Sequence, residues 1–165
     1  MPLTPTLFTP GNQLCKYADD TYLIVPSINS SSIPSELDHI DTWASENNLR
    51  LNPSKSCEIV FKKPRSRIQE PTLVPGLSRV TSLKVLGVTL QSNFSMTEHI
   101  SNVVSKAGQS MYALRMLKGN GLANHQLHTV SNATYLFNPM TYASPAWRWF
   151  ASCEDNLRLQ STFNN

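Results

Sequence analysis

Two adjacent carboxylates, Asp19 and Asp20, stand between two short apolar segments, and few local structures accommodate that order. Leu14 to Tyr17 precede the pair, and Tyr22-Leu23-Ile24-Val25 follow it as a β-prone run. Apolar segments flanking a tight polar pair predict a β-hairpin with the aspartates at or near its turn. Two carboxylates presented on a rigid hairpin tip suit a metal site. A pair of Mg²⁺ ions about 4 Å apart activates a hydroxyl nucleophile and stabilises a leaving pyrophosphate. Taken alone, the same pair also fits a turn in which the aspartates only solvate the bend.

Downstream of the hairpin, a Ser-rich loop over 26–33 leads to a helix over 34–47. Pro34 suits its first turn, and Glu36 and Asp38 suit the positive end of the helix dipole. Ile33, Leu37, Ile40 and Ala44 make one apolar stripe with Trp43 beside it, and Asn47-Asn48 ends it. Leu49 and Leu51 alternate with Arg50 and Asn52, Asn52-Pro53-Ser54 turns the chain, and Glu58 to Phe61 reads as a second strand. The stretch 62–77 is a basic, Pro-rich loop. Val80, Leu83, Val85, Leu86, Val88 and Leu90, broken by Gly87, predict a further hairpin or bulged strand.

After Asn93 the period changes from two to 3.6. Ile100, Val103, Val104, Ala107, Met111, Leu114 and Leu117 share a helical stripe that Gly119-Asn120-Gly121 stops. A second helix fits 124–137 and ends at Pro139. An aromatic segment from Tyr142 to Phe150 and a short polar tail follow. A β-rich first half and a helical second half give an α+β class.

Composition narrows the partners. Charged residues are 15% of the 165-residue chain, against a usual quarter or so. The net charge of +3 is mildly basic and compatible with nucleic acid without demanding it. Cys15, Cys57 and Cys153 are odd in number, widely spaced and without a CxxC pair, which argues against a disulfide framework or zinc site. The opening MPLTPTLFTPGNQ has neither a basic region nor an apolar run, so the expectation is an intracellular protein, nuclear or cytoplasmic, with no membrane partner.

Wider context comes from four blocks in order. Lys16-Tyr-Ala-Asp-Asp-Thr-Tyr-Leu-Ile-Val25 resembles the catalytic hairpin of non-LTR (LINE-type) reverse transcriptases. Leu37-Asp-His-Ile40, Trp43-Ala44 and Asn48-Leu-Arg-Leu-Asn-Pro-Ser-Lys-Ser56 are similar to the helix and strand that follow in that family. Val80-Thr-Ser-Leu-Lys-Val-Leu-Gly-Val-Thr-Leu90 is similar to its primer-grip hairpin block. His99-Ile100, Tyr112-Ala-Leu-Arg115 and Tyr142-Ala-Ser-Pro-Ala-Trp147 look like its thumb. The blocks cover roughly residues 14–150.

Residues 1–13, rich in Pro and Thr, read as an irregular leader and 151–165 as a polar tail; between them the resemblance implies a partial polymerase palm over 14–92 (antiparallel strands with a packed helix) and a helical thumb-like region over 93–150. It implies an RNA template, a DNA primer, dNTP substrates and Mg²⁺, with no other small-molecule cofactor. Asp19 matches the catalytic metal ligand and Asp20 its neighbour. Tyr17 matches an aromatic set against the primer–template backbone. Lys55 matches a lysine near the departing phosphate, acting as an acid or charge stabiliser. Leu86 and Gly87 match the primer grip, where a small residue admits close backbone approach. Lys62, Lys63, Arg65 and Arg67 are a basic run that fits phosphate contacts or a solvated loop. Read without the resemblance, Lys55 is a solvated lysine after a turn and Gly87 a bulge. Trp147 and Trp149 fit base stacking or packing.

The family takes a further aspartate from well upstream of the hairpin, and residues 1–16 hold no Asp or Glu. Asn132 to Met140 also departs from the apolar run expected before the Tyr-Ala-Ser-Pro-Ala-Trp block, and Asn138-Pro139 is expected to interrupt a helix. The expectation is a reverse transcriptase fragment that is inactive alone, with exposed sheet edges and marginal stability. The alternatives are a non-catalytic nucleic-acid-binding remnant, a pseudogene product, or a structural protein that inherited the fold.

Overall fold

Residues Gln13–Tyr17 (β1) pair antiparallel with Asp20–Ile24 (β2), Gln13 opposite Ile24 and Tyr17 opposite Asp20. The loop between them is therefore only Ala18 and Asp19. The computed structural model describes residues 5–63, 65, 70–136 and 141–163. It divides into two units, Met1–Val60 with Arg67–Val80, and Phe61–Ser66 with Thr81–Asn165. Among the described residues three two-stranded sheets in roughly the first half of the chain and mostly helices after them give an α+β arrangement.

In the first unit a short 3₁₀ segment, Ser27–Ser32, leads into Ile33–Glu46 (α1), with Pro34 in its first turn. The helix stops where Asn48 takes a left-handed φ of 56°. Leu49 N–H then donates to the Ala44 carbonyl at 2.8 Å and Asn48 N–H to Ser45 at 3.2 Å, which is a Schellman cap. The buried line of α1 is Glu36, Ile40 and Ala44, whereas Ile33 and Leu37 of the expected stripe are only half-buried.

The rotation has a polar cause. Glu36 is fully buried. Its carboxylate accepts from Thr9 N–H at 2.8 Å, Phe8 N–H at 3.1 Å and Asn12 Nδ2 at 3.0 Å. Asn29 Nδ2 in turn donates to Asn12 Oδ1 and the Pro10 carbonyl. The Phe8 ring stacks on His39, with centroids 3.9 Å apart. Residues 5–12 carry no helix or strand, and within them Phe8, Thr9 and Asn12 are anchored to α1 through Glu36.

Cys57–Ile59 (β3) pairs with Ser78–Val80 (β4), and the pairing is parallel. This corrects the expectation of antiparallel strands throughout, and the strand expected to reach Phe61 ends at Ile59. A parallel pair requires a crossover connection and not a tight turn. Arg79 fixes the pair: its guanidinium meets Glu58 at 3.0 Å and Glu70 at 3.5 Å and donates to the Pro71 carbonyl at 2.9 Å.

In the second unit Ser82–Val85 (β5) and Val88–Gln91 (β6) form a hairpin with Val85 opposite Val88. Its loop is Leu86 and Gly87, with φ of 46° and 90°. Positive φ at both positions marks a type I′ turn, the twist-matched choice for two-residue loops. Thr97–Gly119 (α2) follows. Its stripe is core only as far as Ala107, with Ile100 and Val103 fully buried, Met111 and Leu114 half-buried and Leu117 exposed. A second Schellman cap at Gly121 (φ 87°) ends it, Leu122 N–H donating to Leu117 O at 3.1 Å.

Asn124–Leu136 (α3) lies where the second helix is expected, and the interruption expected at Asn138-Pro139 falls outside the described residues. Ser144–Trp147 (α4) and a 3₁₀ turn, Arg148–Phe150, lead to Cys153–Phe163 (α5). The polar tail expected over 151–165 is thus helical over most of its length. Ser152 caps α5: its Oγ accepts from Asp155 N–H at 3.1 Å while Asp155 Oδ2 accepts from Ser152 N–H at 3.4 Å. This reciprocal capping box is completed by Thr97 Oγ1 donating to the same carboxylate at 3.0 Å. Val88, Met96, Ile100, Val103, Ala107, Trp147 and Leu159 form the core. Trp147 is 1% exposed, so it packs rather than stacks on bases, while Trp149 is exposed. Among the described residues no helix is long and apolar enough to cross a membrane.

His99 is buried in this core. Its Nδ1 accepts from Thr89 N–H at 3.3 Å and its ring meets Trp147 edge-on at 5.1 Å. Burial, with Lys106 and Lys84 nearby, pushes it below the ordinary histidine value. Neutral His99 is therefore favoured in the fold, and stability is lost as pH falls below about 6.5.

Glu36 moves the other way. Burial alone would raise its carboxyl, but the hydrogen bonds from Thr9, Phe8 and Asn12 outweigh it and hold the group below its ordinary value. The stability it gives is complete above about pH 4.5 and is lost as pH falls through the lower, folded value. The two units should accordingly acidify in separate windows. The melting temperature is expected to drop between pH 7.5 and 5.5 in wild type but not in His99→Asn, whose Oδ1 still accepts from Thr89 and does not titrate. Glu36→Gln is expected to lower unfolding free energy by about 2–3 kcal/mol at pH 7. In urea titrations that deficit should shrink at pH 3, where the wild-type carboxyl is protonated.

Candidate functional site

The tip of the β1–β2 hairpin carries the sharpest chemistry. Ala18 sits in the left-handed region with φ of 49°, where an L-residue costs about 1–2 kcal/mol. Glycine is the ordinary occupant of such a position, so a non-glycine there is strain stored at a turn. Asp19 is the second loop residue and Asp20 opens β2; both are exposed, as is Tyr17 at 64%. Asp20 and Tyr22 share a face of β2, and Tyr22 Oη donates to Asp20 Oδ2 at 3.3 Å. Burial, and then the Asp20 carboxylate, raise the Tyr22 phenol above its ordinary value. On β1, Lys16 Nζ lies 5.6 Å from the centroid of the Trp43 ring.

Lys55 closes a 3₁₀ turn, Pro53–Lys55, and is exposed. Among the described residues no ion pair links it to Asp19 or Asp20. Lys62, Lys63 and Arg65 are exposed; Lys62 N–H donates to the Ser92 carbonyl at 2.9 Å, and Arg65 has a φ of 62°. Arg67 lies outside the described residues.

None of the protein-family models, curated proteins or solved structures compared with the chain matches it.

The donor set decides what the hairpin can hold. Asp19 and Asp20 supply two carboxylates, and Tyr22 already occupies one oxygen of Asp20. Among the described residues no group of three His, Cys, Asp or Glu side chains is placed to hold a metal ion. A two-ion site needs more oxygen ligands than this tip presents. The Mg²⁺ pair implied by the resemblance does not fit the residues present, and no reaction step is derived through it.

The β5–β6 tip holds the second pair of expected residues. Leu86 is 41% exposed. Gly87 is not open space: a Cβ there would lie 3.1 Å from Cε1 of Tyr142. Tyr142 Oη donates to the Leu86 carbonyl at 2.9 Å. Tyr142 is the residue the sequence did not single out by itself, because it touches the hairpin across 56 positions. The only local signal was its place before Ala-Ser-Pro-Ala-Trp.

Strain at Ala18 is directly measurable. Ala18→Gly is expected to raise the unfolding free energy by about 1 kcal/mol in denaturant titration. An unchanged or lower value would show that the left-handed turn is not strained.

Proposed function

We propose that the chain supplies part of the polymerase core of a LINE-type RNA-directed DNA polymerase, and that by itself it does not polymerise. The observation that carries this reading is Tyr17-Ala18-Asp19-Asp20 at a two-residue hairpin tip with Ala18 held at positive φ. A strained turn that projects two carboxylates into solvent serves no evident packing purpose, since neither aspartate is buried. The second hairpin, with Leu86-Gly87 at its tip, supports the reading in the position where the resemblance expects the primer grip. In this reading Asp19 is the metal ligand of the intact polymerase, Asp20 its support, and Tyr17 and Lys55 act on the primer–template and the departing phosphate. An RNA template and DNA primer are the partners. A further carboxylate from outside these residues is required before Mg²⁺ chemistry can run.

Exposed Lys62, Lys63 and Arg65 favour a second reading, nucleic-acid binding without catalysis. Primer extension and duplex binding separate the two. Incubated with Mg²⁺, dNTPs and a primed RNA template, the chain is expected to extend no primer above the Asp19→Asn background. Extension that Asp19→Asn abolishes would refute the claim of inactivity. Binding to an RNA–DNA hybrid, followed by anisotropy, is expected to weaken with log salt at a slope near about −3 if these three cations each neutralise one phosphate. Alanine at all three should flatten that slope. Binding with no salt dependence would exclude the basic loop as the contact.

A further inference from the structure

We propose that Tyr142 is a positioning residue that holds the Leu86–Gly87 tip in the one shape in which it meets a nucleic-acid backbone. The inference rests on the reading of β5–β6 as a hairpin that contacts primer and template.

Three observations converge on it. Leu86 is a bulky residue at φ 46°, in a region that disfavours it, and it is exposed, so core packing does not enforce its conformation. Tyr142 supplies the missing restraint, since its Oη donates to the Leu86 carbonyl at 2.9 Å. Its ring also covers Gly87, where any Cβ would come within 3.1 Å of Cε1. Gly87 is therefore favoured on two counts, its φ of 90° and the tyrosine ring close against it.

The tyrosine is itself anchored. Its backbone carbonyl accepts from Trp147 Nε1 at 3.0 Å, and Trp147 is buried in the core. Ala143, the next residue, takes a φ of 50°, and Ala146 N–H donates to the Ala143 carbonyl at 2.8 Å, starting α4. A continuous path thus runs from the core through Trp147 and Tyr142 to an exposed turn. The ring remains 56% exposed, so a ligand that meets the tip meets Tyr142 as well. The sequence-based role of Gly87 changes with this. The missing side chain makes room for Tyr142, and the surface offered outward is the Leu86 side of the turn together with the tyrosine edge.

Tyr142→Phe is the decisive variant, because it keeps the ring over Gly87 and removes only the hydroxyl. The probe is a fluorescein-labelled RNA–DNA hybrid of about two helical turns, read by anisotropy at fixed salt, with two-dimensional NMR of the free protein alongside. Loss of one hydrogen bond is expected to weaken hybrid binding about five-fold. The salt slope should not change, since no charge is removed. The Leu86 and Gly87 amide resonances should shift or broaden, while those of Ile100 and Val103 in the core stay in place. If wild type binds the hybrid and Tyr142→Phe binds it equally well, the positioning role is wrong and the nucleic-acid reading survives. If wild type binds no hybrid, that reading fails and takes the proposal with it. If the amide signals of Ile100 and Val103 move together with the tip, the tyrosine is a general structural support, and the specific role is refuted.

Discussion

A two-stranded sheet does not stand by itself in water, and every sheet among the described residues has two strands. Each must borrow order from something that is not a strand. Much of the borrowed order is polar. In the first unit a buried carboxylate, Glu36, gathers two backbone amides and one side-chain amide from residues 8–12. Arg79, set between Glu58 and Glu70, ties β3 to β4. In the second unit His99 accepts the Thr89 amide of β6, and Tyr142 holds the turn of the same hairpin. Among the described residues the apolar core cluster gathers around Ile100, Val103 and Trp147 in the second unit, while Ile40 and Ala44 are buried in the first. Buried polar groups are costly when unpaired and specify one arrangement when paired. These few contacts therefore decide the positions of the strands they touch.

What was legible in the sequence was local. The Asp19-Asp20 hairpin, the turn at Gly87, the stop at Gly119-Asn120-Gly121 and the helix from Pro34 are all set by residues within a few positions of one another. Turn chemistry and helix caps act at that range. What was not legible was long-range pairing. Glu36 reads as a dipole partner at a helix start, and nothing nearby announces that Phe8 and Thr9 will point their amides at it. The parallel match of Cys57 with Ser78 depends on a crossover, which hydrophobic alternation does not encode. The last helix was missed for a different reason. Ser152 and Asp155 have capping-box spacing, but the segment after them is mostly polar, with Leu159 buried and Leu157 exposed.

The candidate site divides along the same line. The aspartates fall at the tip because a two-residue loop leaves them nowhere else, and that much follows from the flanking apolar runs. Gly87 illustrates the opposite case. From sequence, a glycine in a turn suggests close approach by a ligand; in the fold, the close approach is made by Tyr142 from 55 residues further along. A small residue marks a crowded place without saying who does the crowding.

The contrast between Glu36 and the Asp19-Asp20 pair bears most directly on function. Glu36 is stripped of water and fully partnered, so its charge is committed to the fold. Asp19 and Asp20 face solvent, where two unit charges about 4 Å apart repel by only about 1 kcal/mol. Water alone can tolerate that pair, and the tip therefore needs no cation in order to be stable. A cation would bind only if further ligands displaced its own hydration. Among the described residues no group of three His, Cys, Asp or Glu side chains offers them. Among the described residues the hairpin thus presents two solvent-facing carboxylates without a third acidic, His or Cys ligand beside them.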